Sequence, residues 1–216
     1  TLDGYMMLTE KDEFIYHEMI THVPLAVHPH VFDVLVIGGG DGGTVRELCK
    51  YPSIKRIDLV EIDKEVVEMC KKHFQRTACS FDDKRVHIYF DEGLHFVRSP
   101  RQEYDLIIVD CADPYGPAEG FFTREFYGTC FKALKEDGIL INQHESPFYK
   151  MHSLSVQKAH KHITQEFPLS LVYQCHIPSY PSGHWLFGFA SKKYDPILDL
   201  REEEWNQLGL RTRYYN

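Results

Sequence analysis

A chain of 216 residues, 43% of them hydrophobic, is long enough for one sizeable core, and no interior stretch is repetitive or Pro/Ser-rich enough to be a linker or repeat array. Its 24 basic side chains face 32 acidic ones, a formal charge of -8 that argues against a nucleic-acid surface and is compatible with cationic partners. No run of about 18 apolar residues and no basic-apolar-small leader occurs, so neither a membrane span nor secretion is expected, and the expected location is cytoplasmic. The six cysteines include no C-x-x-C pair and fall mostly in apolar runs, as reduced core thiols do. The thirteen histidines lack metal-ligand spacing, so no metal is expected.

Residues 1–10 suggest the tail of a β element. Glu13 to Val23 reads as a partly amphipathic helix that Pro24 stops or bends. The apolar run Val34 to Ile37 predicts a strand, followed by the glycine run Gly38 to Gly43 and a helix beginning near Thr44. A second strand, Arg56 to Val60, ends in Glu61-Ile62-Asp63, and a helix from Lys64 to Phe74 puts Val66, Val67, Cys70 and Phe74 on one face. Val86 to Tyr89 reads as a third strand. Tyr104 to Val109 is almost continuously apolar, as a strand of a parallel sheet covered on both faces must be, and ends at Asp110. A helix over Thr123 to Leu134 leads through Lys135-Glu136-Asp137-Gly138 into strand Ile139 to Ile141. A long helix then carries Val156, Ala159, Ile163 and Phe167 on one stripe, and Leu169 to His176 with His184 to Ala190 read as an antiparallel pair bracketing residues 178–183. The pattern predicts an α/β fold: a doubly wound, mostly parallel sheet of the methyltransferase-like (Rossmann-type) variant, closed by a hairpin.

The glycine run carries the functional signal. Gly38, Gly40 and Gly43 satisfy G-x-G-x-x-G, but Asp41 lies inside the loop. A pyrophosphate needs the loop amides and the helix dipole without a competing negative charge, whereas Asp41 would repel it by roughly a kcal/mol or more at a few ångströms. The ligand expected here is therefore cationic. Glu61, at the end of the second strand, suits the ribose hydroxyls of a nucleoside; the plainer reading makes Glu61 and Asp63 caps of the following helix. Adenosine attached to a sulfonium keeps the ribose and removes the phosphates, so S-adenosylmethionine chemistry is favoured over that of a dinucleotide. In such a sheet the ligand crevice lies beyond the carboxyl ends of the strands. Asp41, Glu61, Glu92 and Asp110 each follow one strand there, and Asp113 stands three residues beyond Asp110, where Asp113-Pro114 could equally form a turn.

The runs Asp12 to Glu18, Gly38 to Gly43, Asp110-Cys111-Ala112-Asp113-Pro114 with Gly116-Pro117-Ala118-Glu119, and Ile177 to Gly183 together resemble the spermidine synthase family, over nearly the whole chain. The resemblance implies aminopropyl transfer from decarboxylated S-adenosylmethionine to putrescine, releasing methylthioadenosine and spermidine. The donor is then a co-substrate, no cofactor is expected, and a homodimer or higher homo-oligomer is. It implies that Asp110 is catalytic with Tyr16 and Tyr180, that Asp41 holds the donor's ammonium with His17 nearby, and that Glu61 holds the ribose. Glu92-Gly93 stands where many members carry an Asp-Gly pair against the adenine amine, with Asp91 adjacent. The resemblance further implies that Pro117 and Ala118 belong to a loop that closes over the ligands, that Asp113 anchors the diamine with Tyr180 and Gln143, and that Trp185 shapes the acceptor end. Residues 1–11 resemble the tail of a small N-terminal β domain, and 12–216 the catalytic domain. Two alternatives are an S-adenosylmethionine-dependent methyltransferase and a non-catalytic polyamine- or nucleoside-binding protein; a dehydrogenase is more distant.

Overall fold

The computed structural model describes residues 1, 4, 6–98, 103–111 and 116–216, with the backbone alone for 116 and 117. Seven strands form one sheet in the order β3-β2-β1-β4-β5-β7-β6. Strands β1 (Asp33–Gly38), β2 (Arg56–Glu61), β3 (Val86–Phe90), β4 (Tyr104–Asp110) and β5 (Leu134–Gln143) pair in parallel, and β7 (His184–Ser191) runs antiparallel to both β5 and β6 (Leu169–His176). This is the expected α/β sheet with its closing hairpin.

Why the central strands read as unbroken apolar runs is visible in where their side chains go. Along β1, Val34 and Val36 face one core while Leu35 and Ile37 face the other; along β4, Leu106 and Ile108 oppose Ile107 and Val109 in the same way. Burial of each such side chain contributes about 1.5–3 kcal/mol, so a polar residue at any of these positions would cost one face its packing. Helices α1 (Glu13–Leu25), α2 (Gly43–Cys49), α3 (Lys64–His73) and α7 (Glu202–Gln207) cover the first face, and α4 (Gly93–Phe96), α5 (Arg124–Ala133) and α6 (Lys150–Glu166) the second. Among the described residues no helix is long and apolar enough to cross a membrane.

Several boundaries differ from the sequence reading. Pro24 lies inside the last turn of α1, which runs on to Leu25 before Ala26 N–H returns to the His22 carbonyl; a proline there forfeits one N–H bond but does not stop the helix abruptly. Strand β5 starts at Leu134, five residues before the expected Ile139. Leu134 pairs with Tyr104, the register then shifts, and Lys135 leaves the ladder to reach Asp33 at 2.7 Å and Asp105 at 3.0 Å. Helices α4 and α7 were not anticipated. The described residues among 1–10 form turns and coil rather than a strand. No two of the six cysteines are bonded to each other.

Two tethers fix α1, whose inner face reaches the strand ends. At its start the Asp12 carboxylate accepts Ser179 N–H at 2.8 Å and the Ser179 hydroxyl at 3.0 Å, joining the helix to the segment after β6. On its far side the Glu18 carboxylate accepts the backbone N–H groups of Arg213, Tyr214 and Tyr215 at 2.9, 2.7 and 3.0 Å.

Candidate active site

Strand order reverses between β1 and β4, and the first residue beyond each lies at this switch point. Gly38 pairs in register with Asp110, and a Cβ at Gly38 would stand 2.2 Å from the Asp110 carbonyl oxygen. Gly38 also adopts φ +79°, in the left-handed region. The glycine therefore allows the loop to turn directly against the end of β4.

Asp110 is half-buried and held through both oxygens: the Tyr16 hydroxyl donates to Oδ1 at 2.7 Å and the Thr44 hydroxyl to Oδ2 at 2.6 Å. Withdrawal from water and the nearby Asp41 charge push its carboxyl above the usual range, against the opposing effects of His17, Thr44 and Tyr16. Burial and the Asp110 charge hold the Tyr16 phenol well above its ordinary value, so it acts as a donor. An acid so placed can hold a proton that an ordinary surface carboxylate would release.

His17 Nε2 lies 3.2 Å from Asp41 Oδ1. The same oxygen accepts Gly43 N–H at 2.7 Å, so Asp41 also serves the N-terminus of α2. The His17 ring lies against Gly43, where a Cβ would come within 2.2 Å of it; a side chain at this position would displace the imidazole. Glu61 is half-buried and accepts Gly40 N–H at 3.1 Å and Asp63 N–H at 3.0 Å, and burial raises its carboxyl above the ordinary value despite these bonds. The capping role falls to Asp63, which accepts Glu65 N–H at 2.8 Å at the start of α3. Glu61 is thus positioned at the strand end rather than spent on the helix.

Glu92 occupies the N-cap position of α4 with an exposed side chain and makes no capping bond, while the Asp91 carboxylate accepts Glu92 N–H at 2.7 Å. Gly93 is buried against β1: a Cβ there would meet Ile37 at 2.3 Å. Gln143 ends β5 and donates to the Cys111 carbonyl at 3.1 Å; its Oε1 is buried and accepts no hydrogen bond among the described residues. Tyr180 approaches through its ring, 6.0 Å from Tyr16 and edge-on to Trp185 at 4.7 Å, while its hydroxyl donates to the Met7 carbonyl at 2.7 Å. Asp113 lies outside the described residues. Pro117 falls in a short 3₁₀ segment, Gly116–Phe122, without a described side chain.

Three participants were not singled out from the sequence: Thr44, Glu13 and Arg46. Glu13 and His17 stand four apart on α1 and so share a face, a signal that was legible. The Thr44 contact spans 66 positions to Asp110 and has no local signature.

The model of the spermine/spermidine synthase domain matches residues 13–201. The polyamine aminopropyltransferase of Lachnoclostridium phytofermentans is 73% identical over 215 residues, covering 100% of this chain and 76% of that protein. That of Alkaliphilus oremlandii is 66% identical over 216 residues with the same coverage of each. Among solved structures, a spermidine synthase in complex with the transition state analogue AdoDATO superposes with a TM-score of 0.96 at 44% identity, over 100% of this chain and 73% of that one. The spermidine synthase from Thermotoga maritima superposes with a TM-score of 0.94 at 44% identity, covering 72% of its chain. With these identities and a domain match across most of its length, the chain belongs to the spermine/spermidine synthase family of aminopropyl-transferring enzymes.

Proposed function

We propose that the chain transfers the aminopropyl group of decarboxylated S-adenosylmethionine to putrescine, forming spermidine and methylthioadenosine. The observation that carries this reading is the Asp110 carboxylate, raised by burial and held by Tyr16 and Thr44 beside the glycine loop that bears Asp41.

In this reaction a primary amine attacks the carbon next to the sulfonium, the C–S bond breaks with its electron pair passing to sulfur, and the attacking nitrogen loses a proton. An amine with a lysine-like pKa near 10.4 costs about 4 to 5 kcal/mol to neutralise at pH 7. Asp110 accepts that proton in our reading, with Tyr16 fixing the carboxylate and the Tyr180 ring packing behind Tyr16. Asp113 binds the remote ammonium of the diamine, Gln143 offers its buried Oε1 to the acceptor, and Trp185 bounds that end of the site. Asp41, held from its other side by His17, receives the donor's ammonium, and Glu61 its ribose. Glu92 and Gly93 border the adenine, and the segment containing Pro117 covers the ligands. Ordinary S-adenosylmethionine carries a carboxylate where the decarboxylated donor has hydrogen, so Asp41 disfavours it. The sulfonium supplies the leaving group, so the reading calls for no further cofactor.

The test is methylthioadenosine release from decarboxylated S-adenosylmethionine with putrescine, run beside cadaverine, agmatine and spermidine as acceptors. Putrescine-dependent release is expected. Asp110→Asn should lower turnover far more than donor binding, while Asp113→Asn should mainly weaken the diamine. Donor binding without release from any acceptor, or equal loss of donor affinity in both variants, would overturn the assignment.

A further inference from the structure

Glu13 is buried on α1, one turn before the site residues Tyr16 and His17, and the reaction as written above gives it no task. Its Oε2 lies 2.6 Å from His17 Nδ1. Both of its oxygens also accept from the Arg46 guanidinium of α2, at 3.0 Å each, a bidentate pair that fixes the carboxylate plane. The other ring nitrogen of His17 faces Asp41. A neutral imidazole offers one donor and one acceptor, whereas ionised carboxylates only accept. With an acceptor against each nitrogen, both nitrogens must carry hydrogen, and the ring is an imidazolium.

The charged and titratable groups around that ring come from every element packed on it: Glu13 and Tyr16 from α1, Asp41 from the glycine loop, Asp110 from β4, and Arg46 from α2 behind Glu13. Burial opposes the ring's charge, but Asp41, Glu13 and Asp110 outweigh it and raise His17 to about 10. Glu13, which burial alone would push up, is drawn down to about 2 by His17 and Arg46. Asp110 in turn feels two opposite neighbours: Asp41 disfavours its ionised form and His17 favours it.

We propose that Glu13, clamped by Arg46, is a positioning residue that locks His17 as a permanent cation, and that this cation offsets Asp41 so that Asp110 remains ionised and able to accept the amine's proton. The inference rests on the reading in which Asp110 is the proton acceptor. Without the imidazolium, Asp110 would face the Asp41 charge with no cation to offset it, and its carboxyl would take up a proton more readily. A glutamine at position 13 keeps the shape and one acceptor for Arg46, gives up the second Arg46 bond, and lets His17 become neutral, with its Nδ1 accepting from the amide.

Carboxyl-carbon and imidazole NMR titrations of the full chain test this without any substrate. In the wild type the His17 ring should remain an imidazolium at about pH 8, well past the ordinary histidine range. In Glu13→Gln it should titrate within the neutral range, and the Asp110 carboxyl should titrate at higher pH than in the wild type, with an ionised fraction lower by at least about tenfold at a fixed acidic pH. His17→Gln, which removes the cation by another route, should move Asp110 in the same direction. The turnover profile of Glu13→Gln should follow, its acid limb shifted upward and its alkaline rates near those of the wild type. A neutral His17 in the wild type at about pH 8, or an Asp110 titration unmoved in both variants, overturns the proposal. If the Asp110 carboxyl moves as expected but the wild type releases no methylthioadenosine, the electrostatic coupling stands and the functional reading fails.

Discussion

Replacing Thr44 with valine removes one of the two hydroxyls that hold Asp110 while keeping the shape of a fully buried side chain. Thr44 Oγ1 donates to Asp110 Oδ2 at 2.6 Å, and Tyr16 would still hold Oδ1 at 2.7 Å. A hydrogen bond to a charged group is worth about 1.5–3 kcal/mol, and about 1.4 kcal/mol corresponds to tenfold. The ionised form of Asp110 should therefore be disfavoured by about ten- to hundredfold. If this carboxylate accepts the proton of the attacking amine, kcat of Thr44→Val falls by about that factor on the acid side of the profile. It converges on the wild type on the alkaline side, where Asp110 is ionised in both proteins. The assay is initial methylthioadenosine release between about pH 5.5 and about 9.5 at saturating donor and acceptor, with thermal unfolding followed in parallel. A uniform loss across the whole range with an unmoved acid limb would refute the reasoning, because it would make Thr44 a packing residue only.

Gly38→Ala and Gly209→Ala separate strain from collision. Both glycines have positive φ, +79° and +59°, but a Cβ at Gly38 would strike the Asp110 carbonyl at 2.2 Å whereas at Gly209 nothing lies within 4 Å. The left-handed conformation should cost each variant roughly 1–2 kcal/mol, and only Gly38→Ala should lose more in thermal unfolding and also lose turnover; equal losses would remove the claim that the loop is pressed against β4. Glu47 gives the pH dependence of stability. Burial would raise this carboxyl, but His22, Lys50 and Arg46 hold it at about 2 against 4.5. The sign follows from the depressed value: the stabilisation is present above pH 4.5 and is lost as pH falls through about 2. A difference of about 2.5 pH units corresponds to about 3 kcal/mol. Denaturant melts of wild type and Glu47→Gln should differ by about that amount at neutral pH and converge in acid; parallel curves would count against the pairing.

Much of the architecture was legible because local burial imposes local periodicity. Strands covered on both faces read as near-continuous apolar runs, and the middles of β1 and β4 do, while β2 is interrupted by Asp58, whose carboxylate accepts from the Tyr104 hydroxyl at 2.8 Å; the strands and their alternation with helices could therefore be read from the pattern along the chain. The exposed strand β3, with side chains mostly half or fully in solvent, was found but its end was misjudged. The early start of β5 was hidden because its first residues belong to the ladder only through one bridge, Leu134 with Tyr104, across a register shift. Helix α7 is short, with Trp205 its sole buried side chain, donating to the Tyr51 hydroxyl at 2.9 Å, a contact no periodicity could announce.

The site divides along the same line. One acid after each strand end, and a carboxylate within the glycine loop, could be read from order along the chain, because strand order dictates which residues open onto the crevice. Whether Glu61 or Asp63 would cap α3 could not, since both lie in the same turn; packing gave the cap to Asp63 and left Glu61 between Gly40 and Asp63. The charge state of His17 was equally beyond reach of the sequence. It depends on Glu13 one turn before it, a local contact, but also on Asp41 in another loop and on Arg46 across a helix interface, and only the tertiary fold sets these last two distances. Chemical type and order along the chain were thus determined by the sequence itself, whereas the proton on His17 and the hydroxyls on Asp110 were decided by the packing of α1 and α2 against the ends of β1 and β4, because interactions between charges depend on separation and burial in space.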